Sequence, residues 1–190
     1  YLVDDGKDLS YEQLDRSLVE ELVEFMAQRP ELTPALCGKE NAYLEKNSDS
    51  KFVKMMKYYL PKHKIVDSFE QLPDDVFFKF KEKTLSTVDE INKKFAGRVF
   101  ATSSGFGNFD LILPHVNKAV GLEKMLASRN LTLDDLVAFG DGGNDLEMLK
   151  AAGLSYAMEN GSDEVRKVAD KIAPNNNDSG VLKVLADYLM

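Results

Sequence analysis

Leu136-Val137-Ala138-Phe139 is a short apolar run of strand character that stops at Gly140-Asp141-Gly142-Gly143-Asn144-Asp145, a turn of three glycines, two carboxylates and an amide. Leu146-Glu147-Met148-Leu149-Lys150-Ala151-Ala152 then has helical composition and is ended by Gly153. Strand, loop and helix in that order open a parallel α/β unit, and in such sheets ligands sit at the C-terminal ends of the strands. Two carboxylates placed there, beside glycines that let the backbone come close, suit a small hard cation such as Mg²⁺. That ion takes one or two protein carboxylates and completes its octahedron with water and phosphate oxygens.

Other readings of the loop fit less of it. A helix N-terminus favours negative charge, so Asp145 alone is explained as a capping carboxylate. That leaves Asp141, Gly142, Gly143 and Asn144 without a reason. A dinucleotide loop of the form Gly-x-Gly-x-x-Gly needs a third glycine where Asp145 stands. A Ca²⁺-binding β-roll needs tandem copies to bury its core, whereas one copy followed by a helix is present. Upstream, Lys118 follows the turn-like Pro114-His115-Val116-Asn117 and precedes a helix expected from about Val120. A lysine at that junction can bring its ammonium to a phosphate. His115 and His63 show no spacing that would make them a ligand pair or give either an acidic partner. Met148 and Leu149 sit at core spacing and need no functional reading.

The 190 residues suffice for one large domain or two small ones, and 44% apolar with 29% charged residues is ordinary for a globular protein. No apolar run approaches the roughly 18 residues of a membrane span, and the first residues lack a signal pattern. Cys37 is the single cysteine, so no internal disulfide forms, which fits a cytoplasmic location. A net charge of -8 argues against nucleic acid as a partner but leaves room for a small phosphorylated metabolite held by one or two cations and a metal. Oligomeric state is not legible.

Along the chain, Asp4 to Lys7 reads as a turn, and apolar spacing predicts a helix over 11–29 that Pro30 stops. A hairpin is expected around Gly38-Lys39-Glu40-Asn41, with a helix capped by Ser48 or Asp49 running to Tyr59. Val76 to Phe80 is expected as an alternating strand, Asp89 to Phe95 as a helix, and 98–102 with 109–113 as an antiparallel pair. After Pro114 the order becomes helix, strand, loop, helix, strand, with strands at 136–139, 154–158 and 172–173 and helices at 120–129, 146–152, 162–169 and 181–189. The expected fold class is therefore α/β. A parallel-sheet half at 113–190 follows an α+β domain at 14–112, with 1–13 preceding it.

Gly140-Asp141-Gly142-Gly143-Asn144-Asp145-Leu146-Glu147-Met148-Leu149, with Ala152-Gly153 and Tyr156-Ala157-Met158-Glu159-Asn160, resembles the fourth motif of haloacid dehalogenase-like phosphatases of the Cof type. The likeness continues through residues 165–170 and Asn177-Asp178-Ser179-Gly180-Val181. Leu113-Pro114-His115-Val116-Asn117-Lys118 resembles the third motif, with Ala119 where glycine is usual. The resemblance is close from about 109 onward and looser over 10–108, where only the layout of an inserted α+β cap is matched. It implies a Rossmann-like parallel core with that cap, and Mg²⁺-dependent hydrolysis of a small phosphorylated metabolite such as a sugar phosphate through an aspartyl-phosphate. Asp141 would be a direct or water-mediated metal ligand supported by Asp145. Asn144 would orient phosphate or a metal-bound water, and Lys118 would bind phosphate.

The family's nucleophile motif, Asp-x-Asp-Gly-Thr after an apolar strand, has no counterpart. At Asp4, the only candidate, the residue two further on is Gly6 and Lys7 stands in the place of threonine. The expectation is of a C-terminal portion of a longer protein, with the first part of the core absent. Alone it should be inactive, its core half poorly folded or associated with another chain. The competing expectation is a non-catalytic binding or regulatory module derived from the same fold. Specificity is expected from the cap, with the Gly38–Asn41 turn and the Ser103–Asn108 loop as its rim.

Overall fold

The computed structural model describes residues 1–82, 87–105 and 108–189, of which 103–105 and 189 by backbone alone. The chain divides into two units, one formed by Tyr1 with Tyr11–Pro114 and the other by Leu2–Ser10 with His115–Met190. Among the described residues no helix is long and apolar enough to cross a membrane.

In the first unit, strand periodicity decides what covers each face of the sheet. Strands β3 (Ala35–Gly38) and β4 (Ala42–Glu45) run antiparallel with Ala35 opposite Leu44 and Leu36 opposite Tyr43. Successive side chains point to opposite faces. Leu36 and Tyr43 therefore enter the main core, whereas Ala35 and Leu44 pack against Phe52 and Met56 of α2 (Ser50–Tyr59). The main core is filled by Leu18, Leu22 and Phe25 of α1 (Arg16–Ala27) and by Ile91 of α3 (Val88–Lys94). The full sheet has six strands in the order β5-β4-β3-β6-β8-β7, with β5 at His63–Val66, β6 at Phe77–Glu82, β7 at Phe100–Gly105 and β8 at Asn108–Ile112. Only β4 and β5 are parallel; the other pairs are antiparallel.

Three local differences from the sequence reading have physical causes. The helix expected from residue 11 starts at Arg16, because the stretch before it is held extended, with the Leu14 N–H bonded to the Phe77 carbonyl at 2.8 Å. The expected alternation at Val76 to Phe80 is broken. Cys37 pairs with Lys79 and Gly38 with Phe77, so β6 carries one extra residue there. This bulge lets both Phe77 and Phe80 face the same core. Phe78 is diverted to stack on Tyr1, ring centroids 5.1 Å apart, with Tyr11 edge-on at 6.1 Å. Finally, β5 lies outside the expected strands, since His63-Lys64-Ile65-Val66 is short and has no buried residue, with the adjacent Lys64 and Ile65 both exposed.

In the second unit, β9 (Val137–Gly140), β10 (Leu154–Met158) and β11 (Lys171–Ala173) form a parallel sheet in the order β11-β10-β9. Helices α5 (Leu146–Ala151) and α6 (Asp163–Val168) cover one face through Leu149 and Val165, packed on Ala138 and Ala157. The other face carries Tyr156, Met158 and Ala173 and meets Val181 and Val184 of α7 (Gly180–Leu189). Coverage of both faces is what a parallel sheet requires, and the expected α/β class is what the structure shows. Helix α4 (Lys118–Ala127) packs beside α5. The hairpin β1 (Leu2–Asp4) and β2 (Lys7–Ser10) belongs to this unit, joined by a two-residue turn in which Asp5 and Gly6 both have positive φ, 48° and 73°.

Candidate active site

Strand β9 delivers its loop to the C-terminal edge of the parallel sheet. A 3-10 turn at Gly143–Asp145 then leads into α5. That turn aims Asp145 inward: the residue is only 4% exposed, and its carboxylate gathers the loop around itself. Its Oδ2 accepts the backbone N–H of Asp141 at 2.9 Å and of Gly142 at 3.0 Å. Its Oδ1 accepts a charge-assisted bond from the Lys118 ammonium. Burial pushes the Asp145 carboxyl up. The Lys118 hydrogen bond, the two backbone N–H groups and the lysine charge together outweigh it, so the net shift is downward and Asp145 is ionised. Gly140 is required by this packing, because a Cβ there would lie 2.6 Å from the Cβ of Asp145.

Lys118 arrives from a separate element. The sequence reading placed it ahead of a helix starting near Val120. In the structure it is the first residue of α4, because Asn117 caps the helix two residues earlier, its side chain accepting the Val120 N–H at 3.0 Å. The lysine side chain is 48% exposed, so its ammonium touches both Asp145 and solvent.

Asp141 differs from its neighbour in environment. It is exposed, yet its main chain is fixed at both sides: its N–H goes to Asp145, and its carbonyl accepts the Ser162 N–H at 3.0 Å. Its carboxylate Oδ2 accepts the Asn176 side-chain amide at 2.8 Å. Asn144 is exposed beside Gly142 in the same loop. Of the four residues singled out, Lys118, Asp145 and the Asp141 backbone are thus joined in one bonded cluster, and Asn144 lies in its loop.

Sequence reasoning missed Asn176. It lies 35 residues from Asp141 in a 3-10 turn at Asn176–Asp178, and no local pattern links the two. The only hint was its position one residue before the Asn177–Val181 stretch.

Among the described residues no three His, Cys, Asp or Glu side chains gather as a metal cluster. The loop instead offers one exposed, braced carboxylate at a strand terminus, with a second carboxylate behind it. That suits Mg²⁺, which needs only one or two protein carboxylates, and is unlike the closed ligand sets of Zn²⁺. His115 is exposed, and the ring of His63 lies 3.0 Å from the Leu60 carbonyl, far along the chain from this loop. Cys37 is buried, and burial pushes its thiol up to about 11, so it is inert.

The two expected rim segments fare differently. The Gly38–Asn41 turn is held by the Asp75 carboxylate, which accepts the N–H groups of Lys39, Glu40 and Asn41 at 3.1 to 3.3 Å and the Tyr43 hydroxyl at 2.9 Å. In the other, Gly105 pairs with Asn108, and residues 106 and 107 lie outside the described residues.

Comparison with known proteins matches residues 2–185 to the model of the haloacid dehalogenase-like hydrolases. The chain is 35% identical to the 5-amino-6-(5-phospho-D-ribitylamino)uracil phosphatase YbjI of Escherichia coli, over all of this chain and 71% of that protein. Half of it is 36% identical to 40% of a phosphoglycolate phosphatase from Methanopyrus kandleri. The crystal structure of SMU.1108c from Streptococcus mutans superposes with a TM-score of 0.91 at 35% identity, covering 98% of this chain and 73% of that one. By its matched length and by these relatives, the chain belongs to the family of haloacid dehalogenase-like hydrolases, several of whose members are named phosphatases.

Proposed function

We propose that this chain serves a Mg²⁺-dependent phosphatase that releases phosphate from a small phosphorylated metabolite through an aspartyl-phosphate. The observation that carries the reading is the buried Asp145 carboxylate. It ties the Lys118 ammonium to the loop that presents Asp141 at the end of β9. Substrate class is taken from the relatives: a phosphorylated sugar or sugar-alcohol chain, with 5-amino-6-(5-phospho-D-ribitylamino)uracil, for which YbjI is named, as first candidate.

Each side chain then has a physical task. Lys118, half exposed, offset by Asp145 and fixed at the start of α4, contacts the phosphate and stabilises charge building on its oxygens. Asp141 holds the metal directly or through water, and Asp145 keeps the Asp141 backbone from moving. Asn144 orients phosphate or a metal-bound water. When bound, Mg²⁺ supplies charge neutralisation of the phosphoryl oxygens. A carboxylate nucleophile must come from elsewhere, since no Asp-x-Asp pair occurs in these 190 residues. Alone, they are expected to be inactive.

The test is phosphate release from that pyrimidine substrate and from a panel of sugar phosphates. The 190-residue chain would be assayed beside the protein expressed from its whole reading frame. Activity is expected only in the latter and is lost with EDTA. Asp141→Ala and Lys118→Ala should each lower kcat by about 10²- to 10³-fold, as for removal of one electrostatic stabiliser. Turnover that survives both substitutions, or EDTA, defeats the reading.

A further inference from the structure

We propose that Asn176 is the positioning residue that holds the Asp141 carboxylate in one orientation for the metal; this rests on the reading of Asp141 as a ligand. An exposed aspartate ordinarily exchanges among side-chain rotamers. Asp141 is exposed, but Asn176 donates its side-chain amide to Oδ2 at 2.8 Å. Among the described residues no donor is bonded to Oδ1, which leaves that oxygen to a ligand. The arrangement matches a general feature of metal sites, in which an outer partner fixes the orientation of the ligating group.

What makes Asn176 a support is that it is itself anchored. Its backbone N–H donates to Oδ1 of Asn160 at 2.9 Å, and Asn160 lies in the turn between β10 and α6. The same turn supplies Ser162, whose N–H holds the Asp141 carbonyl at 3.0 Å. Behind Asn176, the Asn175 side chain accepts the Asn177 N–H at 2.9 Å, and its carbonyl accepts the Asp178 N–H at 2.9 Å. The loops after β9, β10 and β11 therefore close on one another, and Asp141 is bonded at its N–H, its carbonyl and its carboxylate by three different partners. Only the last of these bonds depends on the identity of a side chain at position 176. The backbone bond to Asn160 is available to any residue but proline, so substitution there leaves the loop anchored.

The experiment uses the protein expressed from its whole reading frame, with Mn²⁺ alone as the probe, and compares wild type with Asn176→Ala, Asn176→Ser and Asn177→Ala. Without metal, NMR three-bond couplings report the χ1 populations of Asp141. With metal, paramagnetic broadening of the Asp141 and Gly142 amide signals gives the apparent Kd. Wild type and Asn177→Ala should show a single Asp141 rotamer and the same Kd. Asn176→Ala should show averaged couplings and a Kd raised about 10- to 100-fold, the usual effect of losing an outer partner. Asn176→Ser, too short to bridge, should follow Asn176→Ala and guards against misfolding of either variant. A single Asp141 rotamer in both Asn176 variants overturns the proposal, and so does averaging that leaves the Kd unchanged. If wild type shows no broadening at Asp141, the metal reading itself fails, a result distinct from either of the others because the rotamer measurement needs no metal.

Discussion

Asp141 and Asp145 show how two identical side chains four residues apart acquire different tasks from their surroundings. Asp145 is enclosed, and three donors consume its carboxylate; Asp141 is exposed, with one donor on one oxygen. The sequence made both candidates for a metal because composition and spacing are all it shows. The division follows from the 3-10 turn, which rotates Asp145 inward over Gly140. Asp145→Asn should therefore act on folding as well as on catalysis. It keeps the shape but has one oxygen for three donors, so its NH2 faces either the two backbone N–H groups or the Lys118 ammonium, and Lys118 loses its counter-charge. A loss of about 2 kcal/mol is expected, in the range for losing bonds to a charged group. Urea denaturation of the protein expressed from its whole reading frame checks it, and an unchanged midpoint contradicts the role given to Asp145.

At the scale of elements, legibility followed the range of the interactions. Strand β10 was read residue for residue, because an apolar run between two breakers determines its own limits. Helix α4 was misplaced by two residues only because the side chain that caps it, Asn117, was read as part of a turn. What lay beyond reach were elements whose geometry is imposed from a distance: the bulge in β6 and the carboxylate inside the Gly38–Asn41 turn. Asp75 sits 34 residues from Asn41 and nothing near it in sequence announces the contact. Burial raises its carboxyl, but the Tyr43 hydroxyl and the N–H groups of Glu40, Val76 and Asn41 outweigh it, and the net shift is downward. A carboxyl lowered in the folded state adds stability that is present above its unfolded pKa of about 4 and is lost as pH falls through the folded value. Asp75→Asn should therefore destabilise the first unit near neutral pH by about 2 kcal/mol. It should also flatten the fall in Tm below pH 4. Thermal melts from pH 7 to pH 2 measure both, and parallel acid limbs for variant and wild type would remove Asp75 from the account.

For the whole molecule, the distribution of buried apolar volume predicts how it comes apart. Among the described residues, the largest fully buried side chains include Phe25, Phe52, Phe80, Phe95 and Phe109, all in the first unit, while Leu149 alone represents the second. Each such side chain contributes about 1.5–3 kcal/mol on burial. The second unit instead relies on smaller groups such as Ala138, Ala157 and Ala173 and keeps Val137, Ile172 and Leu182 at 39%, 51% and 68% exposure. Strand β9, which carries the site loop, belongs to this smaller core. Unfolding in urea should therefore occur in two steps, the second unit first. Hydrogen exchange followed by mass spectrometry can assign the steps: amides of β9 and β10 should exchange at low denaturant while those of β3 and β6 stay protected. The consequence reaches the site, since Lys118, Asp141, Asp145 and Asn176 all belong to the second unit and lose their mutual bonds in that first step. A ligand that joins those residues should raise the first transition and leave the second unmoved, so adding Mn²⁺ during the same titration tests the order of unfolding and the location of the metal together. A single transition shared by both sets of amides would show that the smaller core is no weaker than the larger one.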